Sequence, residues 1–335
     1  VLAACACAAL VLMGSAVPLH LARVPTYSIT LWLALDQAPS GSADHWRVWA
    51  CAWPMLLVAA AGAFALVRLA PARLAHEQSQ EGPLESGAGR STRGAWALAT
   101  LWALGLLVPA GLLVLSVRGW SSVGAFWRLS GPEIESSMRV ALWTGLIVAL
   151  GAPLMWSAAR RSARGARWAL GAAVFVGLVP GVMVGSAVAR AWGLVARVPG
   201  LEAIVDSPAI LVAAHVARFA WIGLLAGWLL AAGEDRQRED LRTIDGARGL
   251  WGWWATARAG HTGTLVGVAA ASAALSLHEI EASIMVQPPG VRSLARQVLE
   301  YLHFWRLDEL GAASVWLVGL TALLGALAGW MIRKD

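Results

Sequence analysis

Charged residues are scarce in this chain. Asp, Glu, Lys and Arg make up only 14% of its 335 residues, whereas apolar residues make up 58%. Soluble domains carry nearer a quarter charged residues, because their surface must be solvated by water. We therefore expect lipid around much of the chain, where backbone polar groups have to pair internally. Long apolar runs without period-2 alternation favour helices over a barrel. The sequence thus predicts an all-α, polytopic helical membrane protein.

Cysteine is also scarce, and several classes of site lack a required pattern. Cys5, Cys7 and Cys51 lie in apolar runs without a nearby His or second Cys pair, which favours buried free thiols over zinc. The net charge of +6 comes almost entirely from Arg, without the polar or aromatic readers of a nucleic-acid partner. No Gly-x4-Gly-Lys-Ser/Thr loop occurs in the sequence, so we expect any ATP hydrolysis in a separate subunit. No catalytic residue, metal site or cofactor is predicted.

What the chain has is long apolar runs, each near the roughly 20 residues that a helix needs to cross a bilayer. They lie at 1–19, 51–69, 95–117, 137–158, 168–190, 209–232, 262–286 and 311–332. This pattern predicts about eight transmembrane helices.

Residues 70–94 are polar and rich in Gly, Ser and Glu, so they bury too little apolar surface to order themselves. We interpret this segment as a cytoplasmic linker. It divides the chain into a unit of two helices (1–69) and a unit of six helices (95–335).

Arginine and lysine are distributed unevenly between alternate connections. One set of connections holds fifteen of them, including those of 233–261 and the C-terminus, and the opposite set holds ten. Because cytoplasmic loops carry the excess of positive residues, both termini and the 233–261 loop are predicted to be cytoplasmic in a plasma (inner) membrane protein.

The loop after the sixth predicted span carries the strongest local signal. A charged stretch that includes Asp240 runs into Asp245-Gly246-Ala247 and then into a Trp-rich stretch that returns to the membrane. This order indicates a short helix, a break permitted by glycine and a second helix. A charged loop with interfacial tryptophans is an equally open interpretation.

The 240–247 segment resembles the "EAA" loop of binding-protein-dependent ABC transporter permeases, which reads Glu-Ala-Ala, three residues, Gly. Asp240 stands at the glutamate position and Gly246 at the glycine, while Leu241 and Arg242 replace the alanines. In that family the loop fits a cleft on the nucleotide-binding subunit. The residues that the resemblance implies for ATPase coupling are Asp240, Asp245, Gly246 and Ala247.

The segment from Leu277 to Gly290, with Ser293-Leu294 and 310–314, is similar to the end of iron(III)-type permeases. Those proteins have a Glu-rich fifth helix, a Pro-Pro-Gly turn, an external helix and an alanine-rich last helix. The likeness covers 95–335 as one six-helix permease bundle. Residues 1–69 resemble the last two helices of a preceding half, which implies an N-terminally truncated chain. The implied partners are an ABC ATP-binding subunit and a periplasmic or lipoprotein solute-binding protein, with iron(III) or another inorganic ion as cargo.

Ionisable residues inside the predicted spans are a second functional signal. Charged groups at membrane depth are costly and normally face a partner or a water-filled path. We hypothesise that Arg218 and Glu279 face the bundle interior, where the two can pair, and that Glu281 joins them on the translocation path. Snorkelling of Arg218 or Glu281 toward the interface is the alternative.

Two weaker patterns accompany these residues. Apolar residues recur at helical spacing after Pro288-Pro289-Gly290, which predicts an amphipathic helix in the outer interface, serving either interfacial packing or docking of a binding protein. Pro153, Pro180 with Gly181, and Gly185 interrupt the fourth and fifth spans, as packing devices or gating hinges.

Two other functions compete with the permease. An ion-gradient-driven secondary transporter would use the same intramembrane carboxylates without an ATPase. An intramembrane enzyme would need a cluster of catalytic side chains, and the sequence offers only the scattered His215, His261 and His278.

Overall fold

The computed structural model of the chain describes residues 26–37, 43–79, 119–200, 207–234, 249–256, 259–288 and 290–332, with isolated positions at 96, 100, 103–108, 111–112, 115, 117, 204, 240–241, 244 and 246. The structure is 88% helical and has no strand among these residues. The predicted all-α class is confirmed.

Twelve α-helices lie in the described ranges. They are α1 (Tyr27–Gln37), α2 (Ala43–Cys51), α3 (Trp53–Ser79), α4 (Trp120–Arg161), α5 (Ala163–Leu178), α6 (Gly181–Val195), α7 (Ala209–Ala232), α8 (Gly249–Thr256), α9 (Thr262–Leu277), α10 (Glu281–Val286), α11 (Leu294–His303) and α12 (Leu307–Ile332). A short 3-10 turn, Ala259–His261, leads into α9.

Three of the described helices, α4, α7 and α12, are long and apolar enough to cross a membrane. The pair α5 and α6 makes a fourth candidate span, but the two helices are bent by 110° relative to each other. Of the eight predicted spans, 1–19 lies outside the described residues and 95–117 lies largely outside them. The predicted spans 168–190 and 262–286 are each interrupted by a break.

The break between α5 and α6 follows from the dipeptide Val179-Pro180. A residue before proline is pushed out of the α region, and proline has no N–H to continue the helix. Val179 accordingly adopts extended angles (φ −65°, ψ 142°). The new helix then begins at Gly181.

Helix α4 lies at the centre of the bundle and packs along α7 and α9, while α9 packs on α12. Glycines allow the closest contacts. A Cβ on Gly223 would lie 1.9 Å from the carbonyl oxygen of Val148, and one on Gly227 would lie 2.1 Å from that of Ala152. The small-xxx-small spacing of these glycines on α7 is typical of membrane helices that bring their backbones into contact.

Two helices begin or end at residues other than those predicted. Helix α4 begins at Trp120 rather than at 137, with a non-helical residue at Ser130 ahead of Pro132. Helix α3 runs to Ser79, beyond the predicted end of its span at 69. Residues 80–94 of the predicted linker lie outside the described residues.

The N-terminal helices pack against the first broken pair. Leu31 and Leu35 of α1 belong to one buried cluster with Val182 and Met183 of α6. Helix α3 packs on α5. Cys51, predicted to be a buried thiol, is exposed at the end of α2.

The amphipathic helix predicted after Pro288-Pro289-Gly290 exists as α11. Its N-terminus is capped by the side chain of Ser293, which accepts a hydrogen bond from the backbone N–H of Arg296. Leu294 and Ala295 are buried, whereas Glu300 is exposed, so the helix packs its apolar face against the bundle.

Candidate functional site

The two broken helices meet inside the bundle. Helices α6 and α10 contact each other, and both contact α7. Glycine makes the approach possible, because a Cβ on Gly185 would lie 2.6 Å from the carbonyl oxygen of Ala282. Both breaks therefore lie beside the middle of α7, which carries His215 and Arg218. Gly185 acts here as a packing device, one of the two roles left open by the sequence.

Arg218 joins the two breaks. Its Nε lies 2.9 Å from Glu279 Oε2, and each side chain is only 8% exposed. Its Nη1 donates to the carbonyl oxygen of Val179, at 2.7 Å. That carbonyl belongs to the end of α5, where the last C=O groups of a helix lack intrahelical partners. The hypothesis that Arg218 and Glu279 are paired inside the bundle is confirmed, and Arg218 does not snorkel to the interface.

Glu279 caps the helix that follows it. Its Oε1 accepts the backbone N–H of Ala282, at 2.9 Å, while its Oε2 is held by Arg218. The first N–H groups of a helix have no intrahelical acceptor, and the positive end of the helix dipole favours a carboxylate there. Both oxygens of Glu279 are thus engaged.

Glu281 makes the corresponding contact to the other broken helix. Its Oε2 accepts the backbone N–H of Gly181, the first residue of α6, at 3.2 Å. The residue is 4% exposed, so it does not snorkel to the surface. A Cβ on Gly181 would lie 2.8 Å from Glu279 Oε1 and from the Cβ of Glu281, so only glycine fits between these carboxylate residues.

His215 extends the network by one turn of α7. Its Nδ1 lies 2.6 Å from Ser276 Oγ and its Nε2 lies 2.8 Å from Ser283 Oγ. The Ser283 hydroxyl donates to the backbone carbonyl of Glu279, at 2.6 Å. Ser283 must therefore accept from Nε2–H, and in the neutral imidazole Nδ1 then accepts from the Ser276 hydroxyl. The sequence did not single out either serine.

A small polar pocket borders this network. It is lined by His215, Ser276, Glu279 and Ser283, and by polar residues of α4 and of the segment before α11, namely Ser136, Ser137, Arg292 and Ser293. Its volume of about 20 Å³ is enough for about one water molecule. The pocket reaches toward the surface at Arg292, which is exposed. Among the described residues, this pocket is too small to hold a larger solute in this conformation.

A second cleft, of about 540 Å³, lies between α4 and α7. Apolar side chains such as Val140, Trp143 and Val212 line most of it, and Ser136 and Arg139 are its polar residues. It shares Ser136 and Val140 with the small pocket. None of the predicted translocation residues lines this cleft.

The predicted ATPase-coupling residues are only partly described. Asp240 and Gly246 are both exposed, and Gly246 has a left-handed backbone (φ +70°) with open space around it. This conformation explains a glycine at this position, since other residues rarely adopt it. Asp245 and Ala247 lie outside the described residues. Asp240 and Gly246 are exposed, whereas Arg218 and Glu279 are buried.

Within the described ranges, no group of three or more His, Cys, Asp or Glu side chains is placed to hold a metal ion. In comparisons with protein-family models, curated proteins and solved structures, nothing matches the chain.

Proposed function

We propose that this chain is the permease subunit of an ATP-driven ABC importer and forms the translocation path for a small solute. The observation that carries the proposal is the buried crossing of two discontinuous helices, tied together by Arg218, Glu279 and Glu281. Discontinuous helices that present their ends and charged side chains at membrane depth are a recurrent way to build a solute path.

The second support is the connection that contains the exposed residues Asp240 and Gly246. It follows α7, the helix that carries Arg218, and precedes α9, the helix that leads to Glu279. A motor subunit that grips this loop would act on both sides of the crossing. The resemblance of 240–247 to the coupling loop of ABC permeases supplies the identity of that motor. The cargo, iron(III) or another inorganic ion, rests on the resemblance alone.

Co-purification tests the motor partner. The tagged chain, extracted from its native membrane in mild detergent, should bring down an ATP-binding subunit identified by mass spectrometry. Gly246→Val should reduce that recovery at least tenfold, because a β-branched residue resists φ +70° and reshapes the exposed loop. Gly200→Val is the matched control, since Gly200 also has a positive φ (+89°) and open space but lies between α6 and α7. Equal recovery with both variants would reject the docking role of this loop.

A secondary transporter driven by an ion gradient is the second candidate. It is favoured by the same carboxylates at the ends of broken helices, which can bind a coupling ion. Uptake of radiolabelled iron(III) into cells separates the two functions. An importer loses uptake with vanadate and keeps it after the ion gradients are collapsed by ionophores, whereas a secondary transporter shows the opposite pattern.

A further inference from the structure

A second, partly buried cluster lies where α4, α7 and α8 meet. Glu234, just past the end of α7, has a side chain only 7% exposed. Its Oε2 accepts from Arg160 Nη2 at 2.5 Å and from Trp156 Nε1 at 3.2 Å. Arg160 and Trp156 are one turn apart on α4, and the guanidinium lies 5.7 Å from the Trp156 ring centroid. The ends of α4 and α7 are therefore fastened together.

Trp253 attaches α8 to this cluster. It is fully buried, and its ring centroid lies 6.2 Å from that of Trp156. On another side it stacks on His261, at 6.3 Å and 10° between planes. Its neighbour Trp251 is 82% exposed. Trp253, and not Trp251, therefore anchors α8 against the end of α4 and the start of α9.

Along the chain, the Trp253 anchor lies between Gly246 and helix α9. Gly246, in the exposed loop, is three residues before α8. His261 is the residue just before α9, a helix of 16 residues and therefore about 24 Å long. At the far end of α9 lies the break with Glu279, the partner of Arg218. A displacement of α8 can reach the buried pair through the packing of α8 on α4 and through α9, which follows α8 in the chain.

We propose that Trp253 is the positioning residue through which movement at Gly246 is transmitted to α4 and α9. The Glu234–Arg160 pair holds α4 and α7 together, so that both helices respond to this movement. This inference rests on the proposed importer function. Helix α8 begins three residues after Gly246, and its Trp253 contacts Trp156 on α4 and His261 at the start of α9.

The anchor can be measured without any cargo. Spin labels are placed at Leu250 on α8 and at Leu154 on α4, which are 39% and 55% exposed, after replacement of the three cysteines by Ser. The unsubstituted chain in nanodiscs should give one narrow distance distribution. Trp253→Ala should at least double its width, and Trp251→Ala should leave it unchanged. Trp253→Phe, which keeps a ring in the buried site, covers the case in which the alanine variant does not fold, and it should broaden the distribution less.

Transmission is tested by the ratio of solute taken up to ATP hydrolysed, in vesicles that contain the chain with its co-purified ATP-binding subunit and radiolabelled iron(III). In Trp253→Ala this ratio should fall by about tenfold, which is a typical free-energy effect for one coupling interaction. Trp253→Phe replaces the alanine variant if that variant does not fold, and the ratio should fall in it as well. ATP hydrolysis itself should persist. Trp251→Ala should keep the original ratio.

Different results overturn different statements. An unchanged distance distribution in both Trp253 variants overturns the anchor. A broadened distribution with an unchanged uptake ratio overturns the transmission and leaves a purely structural tryptophan. Absence of ATP-driven uptake in the unsubstituted chain counts against the proposed function, while the distance measurement still decides whether Trp253 anchors α8.

Discussion

Replacing Glu279 with Gln removes the charge partner of Arg218 while keeping the size of the side chain. After this change Arg218 keeps its hydrogen bond to the Val179 carbonyl but loses its ion pair with Glu279. Both side chains are 8% exposed, so water cannot solvate the remaining guanidinium. Removal of one partner from a buried ion pair costs about 3–5 kcal/mol. At 1.4 kcal/mol per factor of ten, the unfolding equilibrium should shift by about two to three and a half powers of ten.

The assay is reversible unfolding by sodium dodecyl sulfate in mixed micelles, followed by circular dichroism. Glu300→Gln is the matched control, because Glu300 also pairs with an arginine, Arg296, at 3.0 Å but is 47% exposed. An exposed pair of this kind contributes at most about 1 kcal/mol. A double variant, Arg218→Met with Glu279→Gln, removes the unpaired charge and should be less destabilised than the sum of its single changes by about 2 kcal/mol or more.

The reasoning about the buried pair would be refuted by two results. One is a Glu279→Gln variant no less stable than Glu300→Gln. The other is strict additivity in the double variant, which would mean that the two side chains do not interact in the folded protein.

Two further predictions concern packing and the histidine network. Gly227→Ala should destabilise the protein by about 1–3 kcal/mol in the same unfolding assay, because its Cβ would lie 2.1 Å from the Ala152 carbonyl oxygen. As a control, Gly193→Ala should be neutral or slightly stabilising, because a Cβ at that position meets nothing within 4 Å. His215→Ala should destabilise the protein by about 1–3 kcal/mol, because it leaves the buried Ser276 hydroxyl without its partner. Adding Ser276→Ala should recover part of that loss. A double variant as unstable as the sum of both single changes would contradict the assigned hydrogen bond.

Much of the fold could be predicted from local signals. Long apolar runs gave the helical class, and Pro180 marked the position at which the predicted span 168–190 breaks. Arg218 and Glu279 attracted attention because charge at membrane depth needs a partner, and this argument pointed to the correct pair. The glycine at 246 was identified as a break, and its positive φ agrees.

Other features carry no local signal. The break between α9 and α10 falls in His278-Glu279-Ile280, which contains neither proline nor glycine. This break is stabilised by the carboxylate of Glu279 and its distant partners instead. The Val179 carbonyl, a partner of Arg218, is a backbone group that no side-chain pattern reveals. Trp251 and Trp253 look equivalent in sequence, yet one is exposed and the other fully buried, since only tertiary packing distinguishes them.

The location of the Gly246 loop tests the central claim most directly, since a motor in the cytoplasm can act on this loop only from that side. Ile244, which is 80% exposed, is replaced by Cys in a chain whose Cys5, Cys7 and Cys51 are changed to Ser. In sealed right-side-out vesicles, we predict that a membrane-impermeant maleimide labels this cysteine only after the vesicles are permeabilised. Full labelling of intact vesicles would contradict the importer function proposed for this protein.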